Sequence, residues 1–143
     1  MQKQDLAIYR NIQKNAEMGM KAINIISNKV HDVELARQLT KQGLKYSELR
    51  NRAVDKLLEE KADPYRGTYI QDILLATGIH SSTFLNTSTS HIAELVIQGS
   101  NRGLTDMWKS VNQNKMAGRE AVEFAKELMD FEEKNIESLK SYL

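Results

Sequence analysis

A chain of 143 residues has the size of one domain, and at that size a single core can bury enough surface to fold without staples. Twenty Lys and Arg stand against nineteen Asp and Glu, a net charge of +1. The charges are interleaved rather than gathered, as with Arg50 and Arg52 between Glu48 and Asp55, so no phosphate-binding stripe and no nucleic-acid partner are expected.

The absence of cysteine removes disulfides, thiolate nucleophiles, Cys-ligated zinc and iron–sulfur clusters. Residues 1–20 carry Lys3, Asp5, Arg10, Lys14 and Glu17, which breaks any secretory-signal core. No apolar run approaches the roughly 18 residues needed to span a bilayer. The expectation is a cytoplasmic protein with no membrane partner. One Pro and seven Gly leave little to punctuate the chain, and that favours long helices over many short strands.

The periodicity predicts a first helix over about Gln4–Ser27, where Leu6, Tyr9, Ile12, Ala16, Met20 and Ile23 recur every three or four residues on one face. Asn28, Lys29 and His31 interrupt it, and Asp32 is a good N-cap for the next helix. That second helix is predicted over Val33–Glu60, with Leu35, Leu39, Tyr46, Leu49, Ala53 and Leu57 as its apolar stripe. Asp63–Pro64 is expected to stop it, because the residue before Pro is pushed out of the α region. From Lys61 to Thr89 no long amphipathic pattern appears. Tyr69, Ile70, Ile73, Leu74 and Ala76 nonetheless repeat like one short helix, closed by Gly78.

A third helix is predicted to start within Ser88–Ser90 and to end near Asn112. Ile92, Leu95, Gly99, Gly103 and Met107 lie along one face, widened by Leu104, Trp108 and Val111. Gly99 and Gly103 cost helix propensity, and close packing against a neighbouring helix is the simplest return. The fourth helix is predicted over Arg119–Ser141, with Phe124, Leu128, Phe131, Asn135 and Leu139 as its stripe. A helix of about 28 residues spans about 42 Å, so short linkers join antiparallel neighbours. The stretch 61–89 is long enough to return along the bundle. The predicted fold is all-α: one domain over residues 1–143, a four-helix bundle with a long crossover containing a short helix between helices two and three.

Three segments resemble the ferritin-like superfamily. They are Ser88–Thr89–Ser90–His91–Ile92–Ala93–Glu94, then Ile97–Gln98–Gly99–Ser100, then Phe131–Glu132–Glu133–Lys134–Asn135–Ile136–Glu137. More closely, the chain looks like an uncharacterised bacterial family of ferritin-like bundles known as a domain of unknown function. That resemblance implies a stress- or spore-associated structural role. It also raises a di-iron site, which would take one carboxylate from each of two helices and a Glu-x-x-His pair from each of the other two. Glu17 and Glu94 can stand for the single carboxylates. Glu48 and Glu132 begin the i, i+3 pairs, but the partner positions hold Asn51 and Asn135, weak neutral ligands beside imidazole.

His31, His80 and His91 lie at a turn, in the crossover and at a helix start. His91 and Glu94 are themselves an i, i+3 pair. The metal candidates are therefore Glu17, Glu48, His91, Glu94 and Glu132, and no metal or cofactor is expected to bind. Phosphate loops, the Gly-x-Ser-x-Gly elbow and His-Glu-x-x-His are missing. Tyr9 and Tyr46 read as core tyrosines with bonded hydroxyls, Met18 and Met20 as core methionines rather than haem ligands, and Asn135 as a buried group that fixes helix register. The expected function is that of a non-catalytic structural or interaction protein working as a homo-oligomer or with a protein partner. The alternative is a divergent metal-binding protein using Glu17, Glu94 and Glu132, and a small-molecule pocket between helices is a third possibility.

Overall fold

The computed structural model describes residues 3–67 and 87–143. Four helices account for most of them: α1 (Lys3–Ile26), α2 (Val33–Glu59), α3 (Thr89–Gln113) and α4 (Arg119–Leu139). Single 3-10 turns follow α1 and α4, at Ser27–Lys29 and Lys140–Tyr142. None of the described helices is long and apolar enough to cross a membrane.

The helix starts follow side-chain chemistry. Asp32 Oδ1 accepts from the Leu35 N–H at 2.8 Å, and Ser88 Oγ accepts from the His91 N–H at 3.2 Å. Each satisfies a donor that the first turn of a helix leaves open. The end of α2 differs from expectation. Pro64 does not stop the helix; it ends at Glu59, with Lys61 in the left-handed region at φ 54°. The Ala62 N–H bonds the Leu57 carbonyl and the Lys61 N–H bonds the Leu58 carbonyl, a Schellman closure with lysine where glycine is usual. The chain then folds back on α1. Gln13 exchanges two hydrogen bonds with the Tyr65 backbone, at 3.0 and 2.7 Å, and Arg10 donates to the Asp63 carbonyl at 2.9 Å.

Cross-helix contacts fix the directions. Glu17 meets Arg50 and Ile23 meets Gly43, so α1 and α2 are antiparallel. Gln38 with Ser138, Tyr46 with Glu132 and Lys56 with Glu120 make α2 and α4 antiparallel. Asn11 with Ser110 and Asn15 with Met107 do the same for α1 and α3. It follows that α2 and α3 point the same way, diagonally opposed, and α2 ends at the opposite end of the bundle from where α3 begins. The expected short helix over Tyr69, Ile70, Ile73 and Leu74 lies outside the described residues.

The core is a column of aliphatic and aromatic side chains from all four helices, including Ile8, Ile12, Leu39, Leu49, Ile92, Met107 and Leu128. Tyr46 packs edge-on to Phe131 with ring centroids 4.9 Å apart. Its own ring lies flat against α1 at Gly19, where a Cβ would sit 2.6 Å from the ring carbons. Trp108, expected to widen the inner face of α3, is 47% exposed, because Gly103, Met107 and Ser110 already occupy the inward direction.

Three stability outcomes follow. Replacing Gly19 by Ala should destabilise the protein by about 1–3 kcal/mol, since the buried Tyr46 ring has to move. Gly43→Ala, whose Cβ would rest at an ordinary 3.4 Å from Ile23, should be neutral or stabilising by up to about 1 kcal/mol through helix propensity. Lys61→Gly should stabilise by about 1 kcal/mol by relieving the left-handed backbone. Urea denaturation of the three variants beside the parent reads all of these.

Candidate functional site

The inward positions of α4 run Ala121, Ala125, Leu128, Glu132, Asn135 and Leu139, at alternating spacings of four and three. That rhythm carries a glutamate into the centre of the bundle. Glu132 is 3% exposed, so its charge would be costly unless hydrogen-bonded or neutralised. One of its oxygens, Oε1, collects three donors: the Tyr46 hydroxyl from α2, Ser100 Oγ from α3 at 3.4 Å, and Asn135 Nδ2 from α4 at 3.5 Å. The last two are long and weak, and the Tyr46 bond is the principal one.

Burial pushes the Glu132 carboxyl up to about 7, against the opposing pull of the hydrogen bonds from Tyr46, Asn135 and Ser100. The Tyr46 hydroxyl is pushed well above its ordinary value, by its own burial first and then by the Glu132 charge. The tyrosine thus stays protonated while the carboxyl gains and loses its proton near neutrality. Such a group can hold a proton, accept a donor or pair with a cation.

Space has been left beside it. A Cβ on Gly103 would collide with Glu132 Oε2, so only glycine admits the carboxyl at this level of α3. A partly open cavity of about 50 Å³ begins there and runs along the seam between α1 and α3. Its walls are largely apolar, with Met18, Ile23, Leu95 and Val96 among them, and Glu132, Asn15 and Ser100 supply polar groups. Gly99, expected to pack against a neighbour, lines this cavity too.

The other residues singled out from the sequence lie apart. Glu17 is buried on the opposite side of α1, where it accepts from Arg50 Nε and from Gln13 Nε2, both at 3.0 Å. Glu48 is on the surface between Lys45 and Arg52, and the hydrogen bond from Lys45 leads in lowering its carboxyl below the usual range. His91 Nδ1 and Glu94 lie 3.9 Å apart at the half-exposed start of α3. Glu17, Glu94 and Glu132 therefore do not converge. Among the described residues no group of three or more His, Asp or Glu side chains is placed to hold a metal ion. Asn51 is exposed beside Arg50, whereas Asn135 is in the core and bonded to Glu132. His80 lies outside the described residues.

Sequence reasoning passed over Gln13, Asn15 and Gln42, all buried. Gln42 carried a readable signal: it stands three after Leu39 and four before Tyr46, on the stripe itself. Its amide oxygen and nitrogen are both buried without a hydrogen-bond partner.

The chain matches no protein-family model, no curated protein and no solved structure.

The raised carboxyl has a consequence for stability. Below about pH 4.5, the ordinary value, folded and unfolded chains both hold the proton. As pH rises toward 7 the unfolded chain ionises first, so the folded state loses on the order of 3 kcal/mol of relative stability across that window. Glu132→Gln keeps an acceptor for Tyr46 but has no proton to lose. The unfolding free energy of the variant, measured against the parent, should therefore improve by that order between about pH 4.5 and about pH 8. A constant difference across the range would contradict a raised carboxyl.

Proposed function

We propose that this protein is a non-catalytic bundle of the ferritin-like kind that acts by association, with a second copy of itself as the partner. The observation that carries the reading is an apolar stripe on α3 that the described residues leave incompletely covered. Ile97, Leu104, Trp108 and Val111 follow one another at spacings of seven, four and three, which keeps them on one face. Three are only partly buried and Trp108 is about half exposed. Tryptophan at the centre of an apolar strip is the residue type most enriched among those that dominate protein interfaces.

Charge supports self-association as well. A net charge of +1 puts little repulsion between copies. A non-catalytic role is supported by the bonding of the core acid: the donors to Glu132 are neutral, and Glu17 is committed to Arg50.

Trp108 is the single tryptophan of the chain and so reports on its own surroundings. Light scattering coupled to size exclusion should give a mass above the 16.3 kDa of one chain. Emission should shift to the red on dilution as Trp108 becomes wetted. Trp108→Asp should yield a folded monomer, because the position is a surface one. A parent that stays monomeric, with emission independent of concentration, would end the self-association reading.

A further inference from the structure

We propose that the cavity between α1 and α3 is a binding site for a short-chain primary amine, its ammonium group paired with Glu132 Oε2 and its alkyl chain along Ile23, Leu95 and Val96. The argument begins with the uneven use of the carboxyl. All three donors reach Oε1, while Oε2 accepts nothing among the described residues. An ionised carboxylate offers about four acceptor positions, so one that is 3% exposed and takes no protein donor on one oxygen is under-satisfied. Gly103 gives that oxygen the volume a Cβ would fill, in the wall of the cavity that both residues line, at the expense of helix propensity.

The identity of the ligand follows from what faces Glu132. From α2 comes Tyr46, which stays neutral; from α1, Asn15 and Gly19; from α3, Ser100 and Gly103; from α4, Asn135. None of these is a cation. Arg102 belongs to the cavity rim on α3 and is exposed to water, which screens its charge. A buried carboxylate has to take either a proton or a positive partner, and among the described residues no cation meets Glu132. An alcohol would give a donor but no charge, whereas an ammonium group gives both. The volume of about 50 Å³ has room for roughly three or four non-hydrogen atoms, and the walls beyond the carboxyl match methylene groups.

The test uses n-propylammonium chloride as the probe, with propan-1-ol as its neutral counterpart, on the full chain. So few atoms limit the dissociation constant to about the tens-of-micromolar range at best, so melting curves should be followed into millimolar concentrations. Propylammonium should raise Tm in a concentration-dependent manner, and propan-1-ol should not. Affinity should climb by up to about tenfold per pH unit below about pH 7 and level off above it, because the amine displaces the Glu132 proton. Glu132→Gln should abolish the shift, and so should Gly103→Ala, whose methyl group occupies the space beside Oε2. If either variant fails to fold, calorimetry of the parent decides: near pH 6, in buffers of different ionisation enthalpy, close to one proton should leave per amine bound. Equal shifts from amine and alcohol, amine binding by Glu132→Gln, binding without proton release, or no shift at all would each overturn the proposal.

Discussion

A carboxyl group inside a helical bundle has to be hydrogen-bonded, neutralised or moved, and Glu132 imposes that choice on all four helices at one level. Tyr46 brings the main donor from α2, and its ring can reach the centre only because Gly19 lets it lie against the backbone of α1. Ser100 and Asn135 add weaker donors from α3 and α4, and Gly103 clears the volume the carboxyl occupies. Five positions on four helices are thus selected by one side chain. A slip of α4 by a turn would put an aliphatic group against the Tyr46 hydroxyl and leave Glu132 among apolar side chains. Unpaired buried polar groups of that kind are expensive, so this layer sets the register of an otherwise permissive apolar core.

Contacts outside the core act differently. Arg52 with Glu127 and Lys56 with Glu120 tie α2 to α4 along the surface, where ion pairs contribute little net stability. Arg52 also lies over the Phe124 ring, 4.5 Å from its centre. At one end of the bundle the first turn of α1 holds the turn between α3 and α4: Asp5 accepts from the Gly118 N–H and Gln4 from the Met116 N–H. Together with the Gln13–Tyr65 pair, these bonds anchor backbone that has no helix to satisfy it. The polar bonds therefore place ends and register, and the hydrophobic column supplies the driving force.

The distinctive helix is α3. Its inward residues include Ala93, Gly99, Ser100, Gly103 and Ser110, so it brings less bulk to the core than its partners do. Small side chains allow close approach at Gly103 but leave space where α1 offers Gly19 and Ala22 in return. The cavity is the product of small residues facing small residues. Ile92, Leu95 and Met107 still reach the core, while Ile97, Leu104, Trp108 and Val111 lie on a flank that is only partly covered. Both functional readings therefore come from the same helix: a polar-ended cavity on its inner side, an apolar stripe on its outer one.

Helix boundaries were legible from periodicity and caps to within one or two residues, because 3.6-residue spacing and N-cap chemistry are local properties. Asp32 and Ser88 cap where expected, and Asn135 is the buried polar group its place on the stripe implied. The end of α2 also falls within one residue of the expected Glu60, but its stop signal differs: Pro64 is visible in the sequence, whereas a left-handed Lys61 has no local signature. Glu132 was recognised as a candidate through spacing that suggested metal ligation. Its actual partners, Tyr46 and Ser100, are 86 and 32 residues away, and nothing in sequence order connects them. The sequence by itself thus determined which faces are apolar and where helices start, since those depend on neighbours along the chain. Only the tertiary structure decided that Glu17 would meet Arg50 while Glu132 met Tyr46 beside a glycine-lined cavity, because burial and pairing depend on which helices lie side by side.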